Sequence, residues 1–106
     1  MAHEKIIGEW LDPLGRKILL SFDQWVLHIL KRHSDMAVRL EWIGKTVEQP
    51  ELILQDRNAS LYFRPVPGRS AMRYLKVVVN KYTYYVVTAY HTRRIKLRGI
   101  LEWRKS

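Results

Sequence analysis

Hydrophobic residues before Pro50 show both strand-like and helical spacing. The residues at Ile6 to Leu11 and at Lys17 to Leu20 have a strand-like pattern and are separated by an Asp-Pro-Leu-Gly turn at residues 12–15, which predicts two short strands. Helical spacing follows in two segments. The first begins at Ser21, whose hydroxyl suits an N-cap, and runs to about His33.

The second helical segment is predicted from about Met36 to Glu48. It should end there because the residue before Pro50 avoids helical geometry. The chain up to Pro50 is therefore expected to contribute two short strands and two helices to the fold.

After Pro50 the hydrophobic pattern changes to the alternation typical of β-strands. A further segment, Ile100 to Trp103, is either a last edge strand or a terminal turn. Helices followed by a meander predict a single α+β domain over residues 1–106, with N-terminal helices packed on an antiparallel sheet of about four strands. The predicted strands are Leu52 to Gln55, Leu61 to Arg64, Arg73 to Asn80 and Tyr84 to His91.

Alternate side chains of these strands point to opposite faces of the sheet. The apolar face, expected to pack on the helices, comprises Leu61, Phe63, Leu75, Val77 and Val79. The open face comprises Tyr62, Arg64, Tyr74, Lys76 and Asn80. Thr88 and Tyr90 are assigned to the open face because Val87 and Ala89 suit a helix-packed surface better. Aromatic rings, hydroxyls and cations on one face are able to stack bases and hold phosphates, although a solvated face of a basic protein has the same composition.

Charge is segregated along the sequence. The chain carries 19 Lys and Arg and 10 acids. Eleven of the cations lie after Ser60, but only one acid, Glu102, does, so the second part is +10 and the first is −1. A local cationic field attracts polyanions, and the commonest one is nucleic acid.

The residue inventory excludes several chemistries. Without Cys, no disulfide or thiolate metal site is possible, and a cytoplasmic location is favoured. No apolar run is long enough to cross a bilayer, so no membrane partner is expected. The acids are scattered singly, with none between Asp56 and Glu102, which argues against a two-metal nuclease and against any metal cofactor.

Two histidines occupy different positions on the first predicted helix. At 100° per residue an apolar arc contains Trp25, Val26, Ile29, Leu30 and His33. His28 and Arg32 lie one turn apart on its polar margin. An imidazole transfers protons near neutral pH, and a nearby guanidinium holds phosphate oxygens. The alternatives are a core histidine at His33 and an exposed amphipathic edge at His28.

Four segments carry a resemblance to a known family: Trp25 to Met36, Thr46 to Ile53, Tyr74 to Val79, and Tyr85 to Thr92. In order and spacing they resemble the phage-encoded branch of the barnase–EndoU–colicin–RelE (BECR) nuclease superfamily. The resemblance implies helices followed by a curved antiparallel sheet. It also implies descent from small metal-independent endoribonucleases, which are often toxins.

Metal-free RNA cleavage needs a base, an acid and cations that stabilise the charged phosphorane. We therefore assign four candidate catalytic residues, without deciding which is acid or base: His28, His33, Thr88 and Tyr90. The candidate RNA-binding residues are Arg32, Arg64, Lys76, Thr92, Arg93, Arg94 and Lys96.

The sequence thus predicts an endoribonuclease, toxin-like or phage-derived, in which the 2′-hydroxyl attacks the phosphate to leave a 2′,3′-cyclic phosphate. One alternative is an RNA-binding module without turnover. Another is a basic interaction protein for an acidic partner, such as an antitoxin or immunity protein.

Overall fold

The two N-terminal strands form where the sequence predicts them, and they pair as an antiparallel hairpin. The computed structural model describes residues 5–33, 40–66 and 73–106. In the turn, an Asp12 carboxylate oxygen accepts hydrogen bonds from the backbone N–H groups of Leu14 and Arg16, at 3.0 and 2.8 Å. Gly15 supplies the positive φ, +83°, that closes the turn. The paired strands are β1, Ile6–Leu11, and β2, Lys17–Ser21.

A larger sheet of five antiparallel strands follows, in the spatial order β6-β5-β4-β3-β7. Four consecutive strands form a meander, and the chain then crosses the sheet to pair β7 with the free edge of β3. The strands are β3, Leu52–Asp56; β4, Ala59–Pro65; β5, Tyr74–Asn80; β6, Val86–Thr92; and β7, Ile100–Arg104.

The predicted fold class, α+β with N-terminal helices on a curved sheet of about four strands, is wrong. Strands predominate over helices, and the main sheet has five strands. Only two helical elements occur in the described ranges: a π-helix, Gln24–Leu30, and α1, Leu40–Glu48. The sequence does not decide whether the fifth strand forms, because its partner β3 lies more than forty residues earlier in the chain.

The first helical segment differs from its prediction in phase. Ser21 caps it as expected, since its hydroxyl accepts a hydrogen bond from the Gln24 backbone N–H at 3.1 Å. The segment is π-helical, however, and its wider turns do not follow 100° per residue. Trp25 and Ile29 are buried, whereas Val26, predicted in the apolar arc, is exposed. The predicted start of the second helix at Met36 lies outside the described residues, and its predicted end at Glu48 is confirmed.

The register between strands corrects the assignment of the two sheet faces. Tyr62 pairs with Val77, which pairs with Ala89, and all three are fully buried in the main core with the helices and the hairpin. Tyr62 was predicted on the open face. Leu61 and Phe63 therefore lie on the opposite side, which we call the second face, where they form a smaller core with Leu54.

Strand β6 follows its predicted alternation only in part. Ala89 faces the main core, and Tyr90 lies on the second face beside its β5 partner Lys76. A bulge interrupts the pairing of β5 with β6, so Val86 is buried and Val87, predicted to pack under the helices, is exposed. The strand begins at Val86 rather than Tyr84 because Tyr84 has a φ of +64° in the preceding turn.

A buried polar network explains why Tyr62 faces the core. Its hydroxyl donates a hydrogen bond to Asp12 at 2.5 Å and accepts one from Arg16 at 3.2 Å. The Arg16 guanidinium also bonds Asp12 at 2.8 Å and Glu102 at 3.1 Å, and Ser60 donates to Glu102 at 2.8 Å. The Asp12 side chain is completely buried. The network ties the hairpin to β4 and β7.

The network shifts two pKa values. Burial, then the hydrogen bond to Asp12, raises the pKa of Tyr62 well above its ordinary value. Burial opposes the charge of Arg16, but its hydrogen bonds to Asp12 and Glu102 and the nearby Asp12 carboxylate outweigh it, so the pKa of Arg16 is also raised. Tyr62 is therefore a neutral phenol and Arg16 a guanidinium cation.

Tyr62 makes stability depend on alkaline pH. Tyrosines of the unfolded chain ionise near pH 10, while folded Tyr62 keeps its proton, so its contribution is complete below pH 10 and is lost as pH rises above it. We expect the free energy of unfolding to fall by about 1.4 kcal/mol per pH unit there from this group. Urea unfolding at pH 8 and at several values above 10 measures it. The control, Tyr62→Phe, should be less stable at pH 8 but show a shallower decline, and equal declines would contradict the assignment.

Candidate nucleic-acid interface

Residues 93–99, which we call the strap, connect the two edge strands of the main sheet. The strap crosses the second face, where Ile95 packs on the small core of Leu54, Leu61 and Phe63. At its far end Gly99 has a φ of +79°, and an added Cβ would lie 1.9 Å from the carbonyl oxygen of Gln55. Only glycine fits there, so the strap's end is fixed against β3.

A cationic cleft of about 320 Å³ lies between the strap and the exposed part of the second face. Among the described residues that line it, four are cations and one, Asp56, is an acid. The cations are Lys76 from β5 and Arg94, Lys96 and Arg98 from the strap. The excess of positive charge suits a polyanion, because each phosphate bound releases condensed counterions.

Aromatic and hydroxyl groups complete the cleft. Phe63, Tyr90 and Thr92 line it, and the Lys76 ammonium lies 5.3 Å from the Tyr90 ring centroid and 5.8 Å from that of Phe63. The Thr92 hydroxyl donates to the Arg94 carbonyl at 3.1 Å, which connects β6 to the strap. Rings beside ammonium and guanidinium groups form a surface on which bases stack and phosphates bind.

His33, at the end of the first helical segment, contacts one residue of this cleft, Tyr90. Its ring stacks on Tyr90, with centroids 5.2 Å apart and planes inclined by 23°. His33 is half-buried, so part of its imidazole is accessible to solvent. The contact places a proton-transfer group next to the cationic cleft.

Several predicted site residues meet at this place. His33, Tyr90, Lys76, Thr92, Arg94 and Lys96 line the cleft or contact residues that do. Thr88 lies two residues before Tyr90 on the same face, half-buried and opposite Val78.

The structure separates other predicted residues from the cleft lining. His28 and Arg32 are exposed on the first helical segment. Arg93 lines a neighbouring depression with Arg73 and His91. Arg64 lies near α1 and donates to the Gln49 carbonyl at 2.6 Å, because the register of β4 turns it away from the second face.

Sequence reasoning missed Arg98 and the position of Phe63. A signal for Arg98 was present: cations alternate with apolar residues from Arg94 to Arg98, and such alternation directs the cations to one side. The position of Phe63 was missed because alternation within β4 does not show which side of the strand packs on the helices. The register with β5 decides that, and it depends on contacts distant in sequence.

No group of three or more His, Asp or Glu side chains in residues 5–33, 40–66 and 73–106 lies close enough to hold a metal ion. Within the same ranges, no helix has the length and apolar character needed to cross a membrane.

Comparison with known proteins identifies no relative: no family model matches the chain, and neither the curated proteins nor the solved structures contain a match.

Proposed function

We propose that this protein is a metal-independent endoribonuclease that binds single-stranded RNA in the cationic cleft. The observation that carries the proposal is the contact of His33 with Tyr90, beside Lys76 and the three cations of the strap. It combines a proton carrier, a stacking ring and phosphate ligands in one place. The resemblance of the helix and strand segments to phage-encoded BECR nucleases supports the same activity, which we place in the cytoplasm.

The reaction that fits these groups uses the substrate's own nucleophile. A base takes the proton of the 2′-hydroxyl, the 2′-oxygen attacks phosphorus, and the bond from phosphorus to the 5′-oxygen breaks. An acid then protonates the 5′-oxygen, leaving a 2′,3′-cyclic phosphate and a 5′-hydroxyl. Two carboxylate-bound metal ions are not needed for this route, which suits the scattered acids of the chain.

The first helical segment supplies two imidazoles for the two proton transfers. His33 contacts the cleft through Tyr90, and His28 lies five residues earlier on the exposed side. We assign these transfers to the pair His28 and His33. Lys76 and Arg94 stabilise the charge of the phosphorane, while Thr88 and the Tyr90 hydroxyl hydrogen-bond to phosphate oxygens.

One observation favours a second candidate function, an RNA-binding module without turnover. Neither His28 nor His33 is among the described residues that line the cleft, and His33 comes next to it only by stacking on Tyr90. Incubation of the purified protein with RNA in EDTA separates the two functions. Fragments that end in a 2′,3′-cyclic phosphate support the nuclease, and intact RNA supports the binding module.

The cations of the strap should determine how RNA binding depends on salt. Each phosphate contact on a single strand contributes about −0.7 to the slope of log affinity against log salt. Replacing Arg94, Lys96 and Arg98 with Ala should therefore make the slope shallower by about 2. Fluorescence anisotropy of a labelled RNA at several salt concentrations measures it.

The matched control replaces three cations outside the cleft, Lys17, Lys45 and Lys81, with Ala. The change in net charge is the same, so a general charge effect would flatten both slopes equally. Equal flattening of both slopes, or an unchanged slope in the strap variant, would mean that RNA does not bind at the strap.

A further inference from the structure

The strap has a second side, which borders an apolar groove of about 500 Å³. Ile95 and Leu97 form the strap's wall of this groove. Leu52, Leu54 and Tyr74 from the second face and Leu101 from β7 form the remainder of its apolar lining. The groove and the cationic cleft thus share one wall, and the alternation of the strap sends cations to one side and apolar side chains to the other.

The groove exposes more apolar surface than the fold requires. Leu97 is 79% exposed and Leu101 is 52% exposed. Exposed leucines beside a cationic cleft suit a ligand that has a flat apolar part joined to an anionic part. The apolar part would lie on the leucines, and the anionic part would lie on the cations. Glu51 and Arg104 at the groove supply a hydrogen-bond acceptor and donors for the edge of such a ligand.

We propose that the groove binds an unpaired nucleobase of the same RNA strand whose phosphates occupy the cleft. This inference rests on the proposed RNA binding and specifies its substrate as single-stranded. The strand crosses the strap, so that its backbone meets Arg94, Lys96 and Arg98 while one base lies against Leu97 and Leu101, with Tyr74 available for stacking. A base within a duplex is paired and stacked, and it cannot enter the groove.

The test compares base-dependent binding in two proteins. The probes are a short 2′-O-methyl RNA, which lacks the attacking hydroxyl, and an abasic strand of the same length and charge. The wild-type protein should bind the base-bearing strand about tenfold more tightly, since the abasic strand has no base to stack in the groove. The double variant Leu97→Asn, Leu101→Asn should lose most of this preference and bind the abasic strand as the wild type does.

The matched control is Leu11→Asn, the same substitution at an exposed leucine of the hairpin, which should keep the preference. Equal binding of the two strands by the wild type would overturn the inference. So would a preference that persists in the double variant, because the base would then stack elsewhere.

If the protein does not bind RNA in the cleft, the result is different. In that case, replacing Arg94, Lys96 and Arg98 with Ala leaves the affinity for both strands unchanged. If those substitutions lower the affinity for both strands while the groove variant changes neither affinity, the cleft binds RNA and the groove does not bind a base.

Discussion

His33→Phe is expected to lower the rate of RNA cleavage in EDTA about 10²- to 10⁴-fold, the usual contribution of a general acid or base. Phenylalanine keeps an aromatic ring to stack on Tyr90 but cannot exchange a proton. RNA affinity should therefore change little while the catalytic rate falls. Single-turnover cleavage of a labelled RNA, with analysis of the 2′,3′-cyclic phosphate end, measures the rate, and anisotropy measures the affinity.

His28→Ala provides the comparison within the same helical segment. We expect a loss of rate of similar size, with the free energy of unfolding unchanged within about 0.5 kcal/mol because the side chain is exposed. The control Lys31→Ala, also exposed on this segment, should retain full activity. If His33→Phe cleaves RNA at the wild-type rate, the proton-transfer role of His33 is wrong. If cleavage needs added magnesium, the mechanism itself is wrong.

Arg16→Met is expected to destabilise the fold by about 3–5 kcal/mol, the cost of leaving a buried charge without its partner. The substitution leaves the fully buried Asp12 carboxylate without its ion pair and removes the cation that bonds Glu102 and Tyr62. This loss is a large part of the 5–15 kcal/mol that typically stabilises a domain. Urea unfolding followed by tryptophan fluorescence measures it.

The neighbouring residue offers a control. Lys17 pairs with Glu9 at 3.6 Å on the surface of the same hairpin, with both side chains mostly exposed. Lys17→Met should therefore change stability by less than about 1 kcal/mol. Similar losses from Arg16→Met and Lys17→Met would mean that the network contributes no more than an exposed ion pair.

The parts of the fold that sequence predicted are those set by neighbouring residues. The Asp12 turn, the Ser21 cap and the helix end at Glu48 each depend on a few adjacent positions. The face of Tyr62 depends instead on the hydrogen bond that it donates to Asp12 and the one that it accepts from Arg16, about fifty residues earlier. Alternation alone treats a tyrosine as a surface residue when its partners are unknown.

The candidate site divides in the same way. Arg94 and Lys96 were predicted from local charge, and both line the cleft. The contact of His33 with Tyr90 joins residues far apart in the sequence, so it could not be predicted from local spacing. The apolar arc indicates only the side of the helix on which His33 lies. The arc assumes the periodicity of an α-helix. The segment is π-helical, so Val26 is exposed although the arc predicts it on the apolar side.

The pairing of β7 with β3 has a consequence for synthesis on the ribosome, which proceeds from the N-terminus. Arg16 leaves the exit tunnel early, but its partner Glu102 follows 86 residues later. The strap is fixed at Gly99 only when β7 pairs with β3, so the nascent chain carries an unfinished cleft until this last strand emerges. If the cleft cuts RNA as proposed, cleavage has to wait until residues 100–104 have been synthesised and have paired with β3.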